Sequence, residues 1–387
     1  MRPASVVIVG AGVMGASVAY HLATRGFRDV LLLDRSAGPG LGSTGAATGG
    51  FRAQYGSDIN VRLSLLAREK LLRFKEEVGT DPEYLAAGYL WLAVSEAELG
   101  SLRTGMVVQR AAGLHEATEV DVNDVRRINP AVECEAIVGG AFCPTDGFIA
   151  PLQILNGYLA SALRKGARVE WGTRVGGFVS DHRGRIVAVE TSRGRIDTDA
   201  IVNAAGPWAA LLAEAAGVSL PVTPLRRQVA TTAPCAVLPH DMPMTIFAGD
   251  GFHFRVRDGR VLLLWPTPGM PNSPFDIRVD PEWVASVTRM AHDRVPVLRD
   301  VAIDRDSCWA GLYEMSPDKH AILGCAPGRD NLYLINGSSG HGVMHAPALG
   351  ALLAELICDG KVSSLDVGAL SPSRFAEGTL NPMSGVL

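Results

Sequence analysis

The sequence has no uninterrupted apolar stretch approaching the roughly 20 residues that a membrane-spanning helix requires, because Gly, Pro or a charge breaks each run sooner. No membrane span is therefore expected. Cysteine is sparse: Cys134, Cys143, Cys235, Cys308, Cys325 and Cys358 form no CxxC pair and no metal-ligand spacing. That argues against a disulfide framework and a bound metal, and suits reduced thiols in a cytoplasmic protein. A basic arm is absent too, and the formal net charge is −4, so nucleic acid and anionic membranes are not expected partners. The first apolar strand opens within six residues of Met1, so no signal peptide is expected before it. What is abundant is glycine, 43 residues with 23 prolines in no repeating pattern, as in a turn-rich α/β protein. At 387 residues the chain exceeds one simple core, and two domains are expected.

Ser5-Val6-Val7-Ile8-Val9 reads as a strand buried on both faces. Gly10-Ala11-Gly12-Val13-Met14-Gly15 follows directly, then a helical pattern through Val18, Ala19, Leu22 and Ala23, closed by Gly26. Val30 to Leu33 forms a second strand ending at Asp34, with Arg35 next. The three glycines of the motif act differently. Gly10 makes the tight turn, Gly12 lets a pyrophosphate approach the backbone, and Gly15 lets helix and sheet pack closely. The helix N-terminus offers N–H donors and a positive dipole end to phosphates, and Asp34 can accept from ribose hydroxyls. The motif indicates a dinucleotide without a 2′-phosphate, but it does not separate FAD from NAD.

Gly38 to Tyr55 does separate them. The segment is built of small residues, with hydroxyls at Ser43, Thr44 and Thr48 and glycines at Gly42, Gly45, Gly49 and Gly50. A large flat ring needs such close backbone approach, whereas an NAD enzyme would continue into another βα unit. A flexible surface loop is the alternative on composition alone.

The run GSTGAATGGFRAQYGSDINVRLS resembles the flavin loop of the D-amino-acid oxidase superfamily, in particular its sarcosine oxidase and L-proline dehydrogenase β-subunits. The stretches Phe142–Gly147, Thr173-Arg174-Val175, Val202–Trp208, Trp309–Asp318 and Gly340–Met344 extend the likeness over nearly the whole chain. The resemblance implies an α/β fold with added β structure: a Rossmann-like FAD-binding domain (1–82, 145–222, 306–387) interleaved with an antiparallel-sheet substrate domain (83–144, 223–305). It implies cofactor contacts from Gly10, Gly12, Val13, Met14, Gly15, Asp34, Arg35, Gly42, Ser43, Thr44, Thr48, Gly49 and Gly50. Val175, Ala204, Ala205, Gly206, Trp208, Gly311, Gly340, His341, Gly342, Val343 and Met344 would add further contacts. A helix read over Ala346 to Cys358 would turn its positive end toward the pyrimidine edge of the flavin.

The expected activity is oxidation of a small amine or amino acid, a secondary one such as sarcosine or proline, giving an imine. Electrons would pass to oxygen or to a partner subunit of a hetero-oligomer. Oxidation of a D-amino acid or 2-hydroxy acid on the same fold is the rival, and a non-catalytic flavoprotein for relay or assembly is the rival of another class. A substrate carboxylate calls for a guanidinium, and Arg52, directly after the flavin loop, is the candidate. Pairing of Arg52 with a structural carboxylate such as Asp58 is the alternative. Tyr55, Tyr313 and Met344 join it as substrate-site residues. In Gly251-Phe252-His253-Phe254-Arg255, either the polar set, His253 and Arg255, or the aromatic set faces the cleft. Monomeric sarcosine oxidases attach flavin through a cysteine where Gly311 stands here, so FAD is expected to be non-covalent. They also carry lysines where this chain has Met344 and the Val261–Leu264 run, a loss of cations that leaves a dehydrogenase open.

Overall fold

A computed structural model describes residues 2–266 and 273–382. Residues 1, 267–272 and 383–387, which fall within the segments expected for the two domains, lie outside the described residues. Among the described residues, sixteen strands form two eight-stranded sheets. In the first, β1 (Ala4–Val9) lies parallel between β2 (Val30–Leu33) and the strand Gly194–Asn203, with Arg168–Glu170 beyond β2 and Arg329–Asn336 beyond Gly194–Asn203. Ile322–Ala326 closes one edge in antiparallel pairing, and Val175–Ser180 with Ile186–Thr191 extends a side ribbon from Gly194–Asn203.

The continuous apolar runs of β1 and β2 arise because this sheet is covered on both faces. Val6, Ile8 and Leu32 point into a core shared with α1 (Val13–Thr24) and the helices Asp58–Leu72, Pro151–Arg164 and Gly342–Asp359. Val7, Val9, Leu31 and Leu33 point the other way, onto the Ala209–Ala215 helix. Gly342–Asp359 is long and apolar enough to cross a membrane, with a mean hydropathy of 1.3, but 61% of it is buried inside the protein. It packs on α1 so closely that a Cβ at Gly350 would lie 2.1 Å from Ser17 Oγ. The helix begins at Gly342, four residues before the expected Ala346, and Pro347 lies inside it, where it leaves the Val343 carbonyl without an intrahelical donor.

The second sheet runs Trp309–Met315, Thr223–Thr231, Arg260–Leu264, His253–Arg257, Met244–Phe247, Tyr89–Ala93, Gly139–Cys143 and Thr118–Val120. All neighbours are antiparallel except Met244–Phe247 with Tyr89–Ala93. Leu90, Leu92, Phe252 and Phe254 pack on the helix Pro281–Arg294 through Trp283, Val284 and Val287. One strand departs from the expected division. Trp309–Met315 hydrogen-bonds along Thr223–Thr231 from Val229↔Trp309 to Thr223↔Met315, so the sheet of the 223–305 segment extends past residue 306. Composition carries no sign of this, since the strand's partner lies some eighty residues earlier.

Candidate active site

Between the sheets lies a cavity of about 660 Å³, within the size range of small-molecule sites. At one end β1 turns into α1 over the glycine motif. Gly10 has φ +106, and a Cβ there would sit 2.2 Å from Ala204 O. At Gly12 an added Cβ meets only Thr44 Oγ1, at 3.4 Å. Gly12 has no side chain to cap α1, and Thr44 Oγ1 takes only the Val13 N–H, so the next N–H groups of the first turn are left for a ligand. Asp34 Oδ2 accepts from Ala11 N–H at 2.8 Å and Oδ1 from the N–H and hydroxyl of Ser36, fixing the carboxylate on the cavity wall. Val175, Ala204, Ala205, Gly206 and Trp208 line the same end. The Trp208 ring is sandwiched, with the Arg35 guanidinium 3.6 Å from its centroid and Phe275 stacked at 5.4 Å.

The segment after Gly38 is ordered by its small residues. Ser43–Ala46 forms a single helical turn whose Thr44 hydroxyl accepts from Val13 N–H, and Ser43 Oγ donates to Leu312 O. Gly49 (φ +76) could not carry a Cβ, which would come within 2.3 Å of Ile149 O; at Gly50 it would collide with Tyr89 Oη. Arg52 follows on the cavity wall, 5% exposed. Its guanidinium donates to Gln54 O at 2.9 Å and lies 3.2 Å from His341 Nε2, between the rings of Tyr55 and Trp91. Asp58, the alternative partner considered for Arg52, pairs with Arg62 instead.

On His253–Arg257, Phe254 and Val256 enter the core, and of the polar pair His253 lines the cavity. Its Nδ1 is 2.7 Å from Gly251 O, and burial lowers its pKa to about 4, so the ring is neutral with Nε2 as acceptor. Two expected substrate contacts need correction. Arg255 does not line the cavity; it donates to Thr48 O, stacks over Phe148 and so supports the flavin loop from behind. Tyr55 is likewise behind the wall, under Arg52, with its hydroxyl on Met344 Sδ. Met344, Tyr313, Gly311, Gly340, His341, Gly342 and Val343 do line it, as do Met14, Gly42, Ser43, Thr48, Gly49 and Gly50. Sequence reasoning missed Tyr89, Trp91, Arg227, Met244, Ile246 and Lys319, which also line it. All but Lys319, which lies in a bend after Trp309–Met315, come from strands whose facing is set only by long-range pairing.

The FAD dependent oxidoreductase (DAO) family model matches residues 5–356. The chain belongs to that family. It is 28% identical to glycine oxidase of Geobacillus kaustophilus (strain HTA426), over 95% of this chain and 96% of that protein. It is 28% identical to mitochondrial dimethylglycine dehydrogenase of Mus musculus over 97% of this chain, which spans 44% of that longer protein. The crystal structure of L-proline dehydrogenase from P. horikoshii superposes with a TM-score of 0.90 at 28% identity, over 98% of this chain and 100% of that one. Within the DAO family the glycine turn and the remaining first-turn N–H groups of α1 fit the FAD pyrophosphate, and Asp34 fits a ribose. The flavin loop, whose Thr48, Gly49 and Gly50 line the cavity, fits a ring lying against its backbone. The N-terminus of Gly342–Asp359, capped by no side chain, closes the other end of the cavity.

The loop that holds Arg52 hangs on a buried carboxyl. Asp146 is fully buried, with Oδ1 accepting from Ala53 N–H and Oδ2 from the Gln54 amide. Burial outweighs these donors and pushes its pKa up to about 6. A folded-state pKa above the unfolded 3.8 means the native state binds the extra proton, so its contribution is present at low pH and is lost as pH rises through about 6. We expect the stability of the wild type minus that of Asp146→Asn to fall by about 2–3 kcal/mol between pH 4 and 7. Denaturant melts of both proteins across that range check it; a flat difference would mean the carboxyl titrates as in the unfolded chain.

Proposed function

We propose that this DAO-family protein oxidises a small amine or amino acid, a secondary one such as an N-methyl amino acid or proline, to an imine that water hydrolyses. The observation that carries the reading is Arg52, a guanidinium held rigid by Gln54 O, His341 and two aromatic rings on the wall of the cofactor cavity. When bound, FAD supplies a two-electron acceptor for a C–H beside nitrogen. Arg52 binds the substrate carboxylate and so fixes which bond is presented. Its charge also disfavours an ammonium beside it, which keeps the substrate nitrogen in the unprotonated form that oxidation requires. His253 Nε2 is an acceptor for a substrate N–H, and Trp91, Met244, Ile246 and Met344 exclude water.

The names of the relatives, glycine oxidase, dimethylglycine dehydrogenase and L-proline dehydrogenase, support an amine beside a carboxylate. With glycine at position 311, FAD is held non-covalently. Oxygen or a partner subunit takes the electrons onward, and free thiols at all six cysteines suit a reducing compartment such as the cytoplasm.

Anaerobic mixing of the holoenzyme with a panel of N-methyl amino acids, proline, D-amino acids and 2-hydroxy acids tests the reading. Secondary amino acids are expected to bleach the flavin band within seconds. Bleaching by hydroxy acids alone would replace the substrate class, and no bleaching by any member would leave a relay or assembly role.

A further inference from the structure

The ring end of the cavity holds a second guanidinium that Arg52 does not account for. Arg227 lies on Thr223–Thr231 directly opposite Gly311 in the antiparallel pair, so no side chain on the facing strand stands across from it. It lines the cavity, half-buried, and faces the Tyr313 ring, whose centroid is 5.8 Å from the guanidinium carbon. Among the described residues no Asp or Glu forms an ion pair with it, whereas Arg226 beside it reaches Asp276 and the Arg278 carbonyl. Burial draws the Arg227 pKa down, yet a guanidinium stays charged at neutral pH. Arg52, Arg227, His253 and Tyr313 all line this one cavity, so the two cations share its space. Lys319 adds a further cation to the wall and Glu314 a carboxyl that burial pushes up to about 7, while Asp34, Arg35 and Arg174 are the other charged lining residues.

A half-buried cation without a counter-ion is costly unless a ligand supplies one. We propose that Arg227 binds a second anionic group of the substrate, so that the preferred substrates are amino acids bearing two carboxylates, one on Arg52 and one on Arg227. This rests on the reading of the cavity as an amino-acid site. It also revises the view that the site has lost its cations. The chain lacks lysines at Met344 and along Val261–Leu264, but Arg227 approaches the cavity from a different strand.

The test uses the holoenzyme and redox-inert carboxylates, followed by the perturbation of the flavin absorbance spectrum. Glutarate and succinate are expected to bind about tenfold or more tightly than butyrate and propionate, the scale of a charge-assisted pair. Arg227→Met should bring that ratio close to one, and Arg227→Lys should retain part of it. Flavin content reports whether each variant is folded. A ratio near one in the wild type, or one unchanged in Arg227→Met, overturns the proposal while leaving the amino-acid site standing. If no carboxylate perturbs the spectrum and no amino acid bleaches the flavin, the amino-acid reading falls and this proposal falls with it.

Discussion

Arg52→Met is expected to give a folded holoenzyme that has lost a few hundredfold in kcat/KM toward its amino-acid substrate. Removing one partner of a desolvated, hydrogen-bonded charge pair costs about 3–4 kcal/mol, and each 1.4 kcal/mol is tenfold. Methionine fills much of the space between Tyr55 and Trp91, so lost packing contributes little. Arg52→Lys should lie between the two, since it retains a charge but not the planar fork that meets a carboxylate bidentately. Rapid-reaction traces separate the roles: a clamp that binds ground and transition states alike raises the apparent dissociation constant, whereas one that aims the C–H lowers the limiting rate. An unchanged dissociation constant together with an unchanged limiting rate would sink the clamp, and the carboxylate would then belong to Arg227.

The dinucleotide end was legible because its determinants are local. Strand, three glycines, helix, strand and acid lie within the first thirty-four residues; Gly10 and Gly15 exclude a Cβ and Gly12 keeps the backbone open to the cavity, roles that spacing alone conveys. The substrate end was only half legible. Arg52 adjoins the glycine loop and so could be found, but Tyr55, three residues on, lies behind the wall because the chain turns away after Gln54 to reach Asp146. Arg255 was named for its alternation with phenylalanines, and alternation fixes a face but not what that face touches. Its face meets the back of the flavin loop. Arg227 went unnoticed because nothing in Leu225-Arg226-Arg227-Gln228 distinguishes a solvated arginine from one beside a cavity. Only pairing with Trp309–Met315 does so, and that strand was itself assigned to the other domain.

Gly15→Ala is expected to abolish the flavoprotein, and Gly12→Ala to spare the fold while weakening the cofactor. At Gly15 an added Cβ would lie 1.9 Å from Gly10 O and 3.1 Å from Ile8 Cγ2, and the first of these is backbone that cannot swing aside. Relief requires α1 to withdraw from β1. The helix has nowhere to go, because Ser17 Oγ donates to Ala346 O at 2.7 Å and Gly350 presses on the same serine, while Tyr20 packs on Tyr158 of Pro151–Arg164. Overpacking without a route of escape costs about 3 kcal/mol or more, and it opens the turn that would carry the pyrophosphate. Purified Gly15→Ala should therefore contain little or no FAD and melt well below the wild type, if it is soluble at all. Gly12 differs in what its Cβ would meet: Thr44 Oγ1 at 3.4 Å, an ordinary contact, with the rest of the methyl in the cavity. The Gly12→Ala apoprotein should melt close to the wild-type apoprotein, yet bind FAD at least about tenfold more weakly, because the methyl holds the phosphates off the helix end. Paired melts and FAD titrations of the two variants distinguish a packing glycine from a ligand-approach glycine. Wild-type FAD affinity in Gly12→Ala would mean that the pyrophosphate crosses the turn elsewhere.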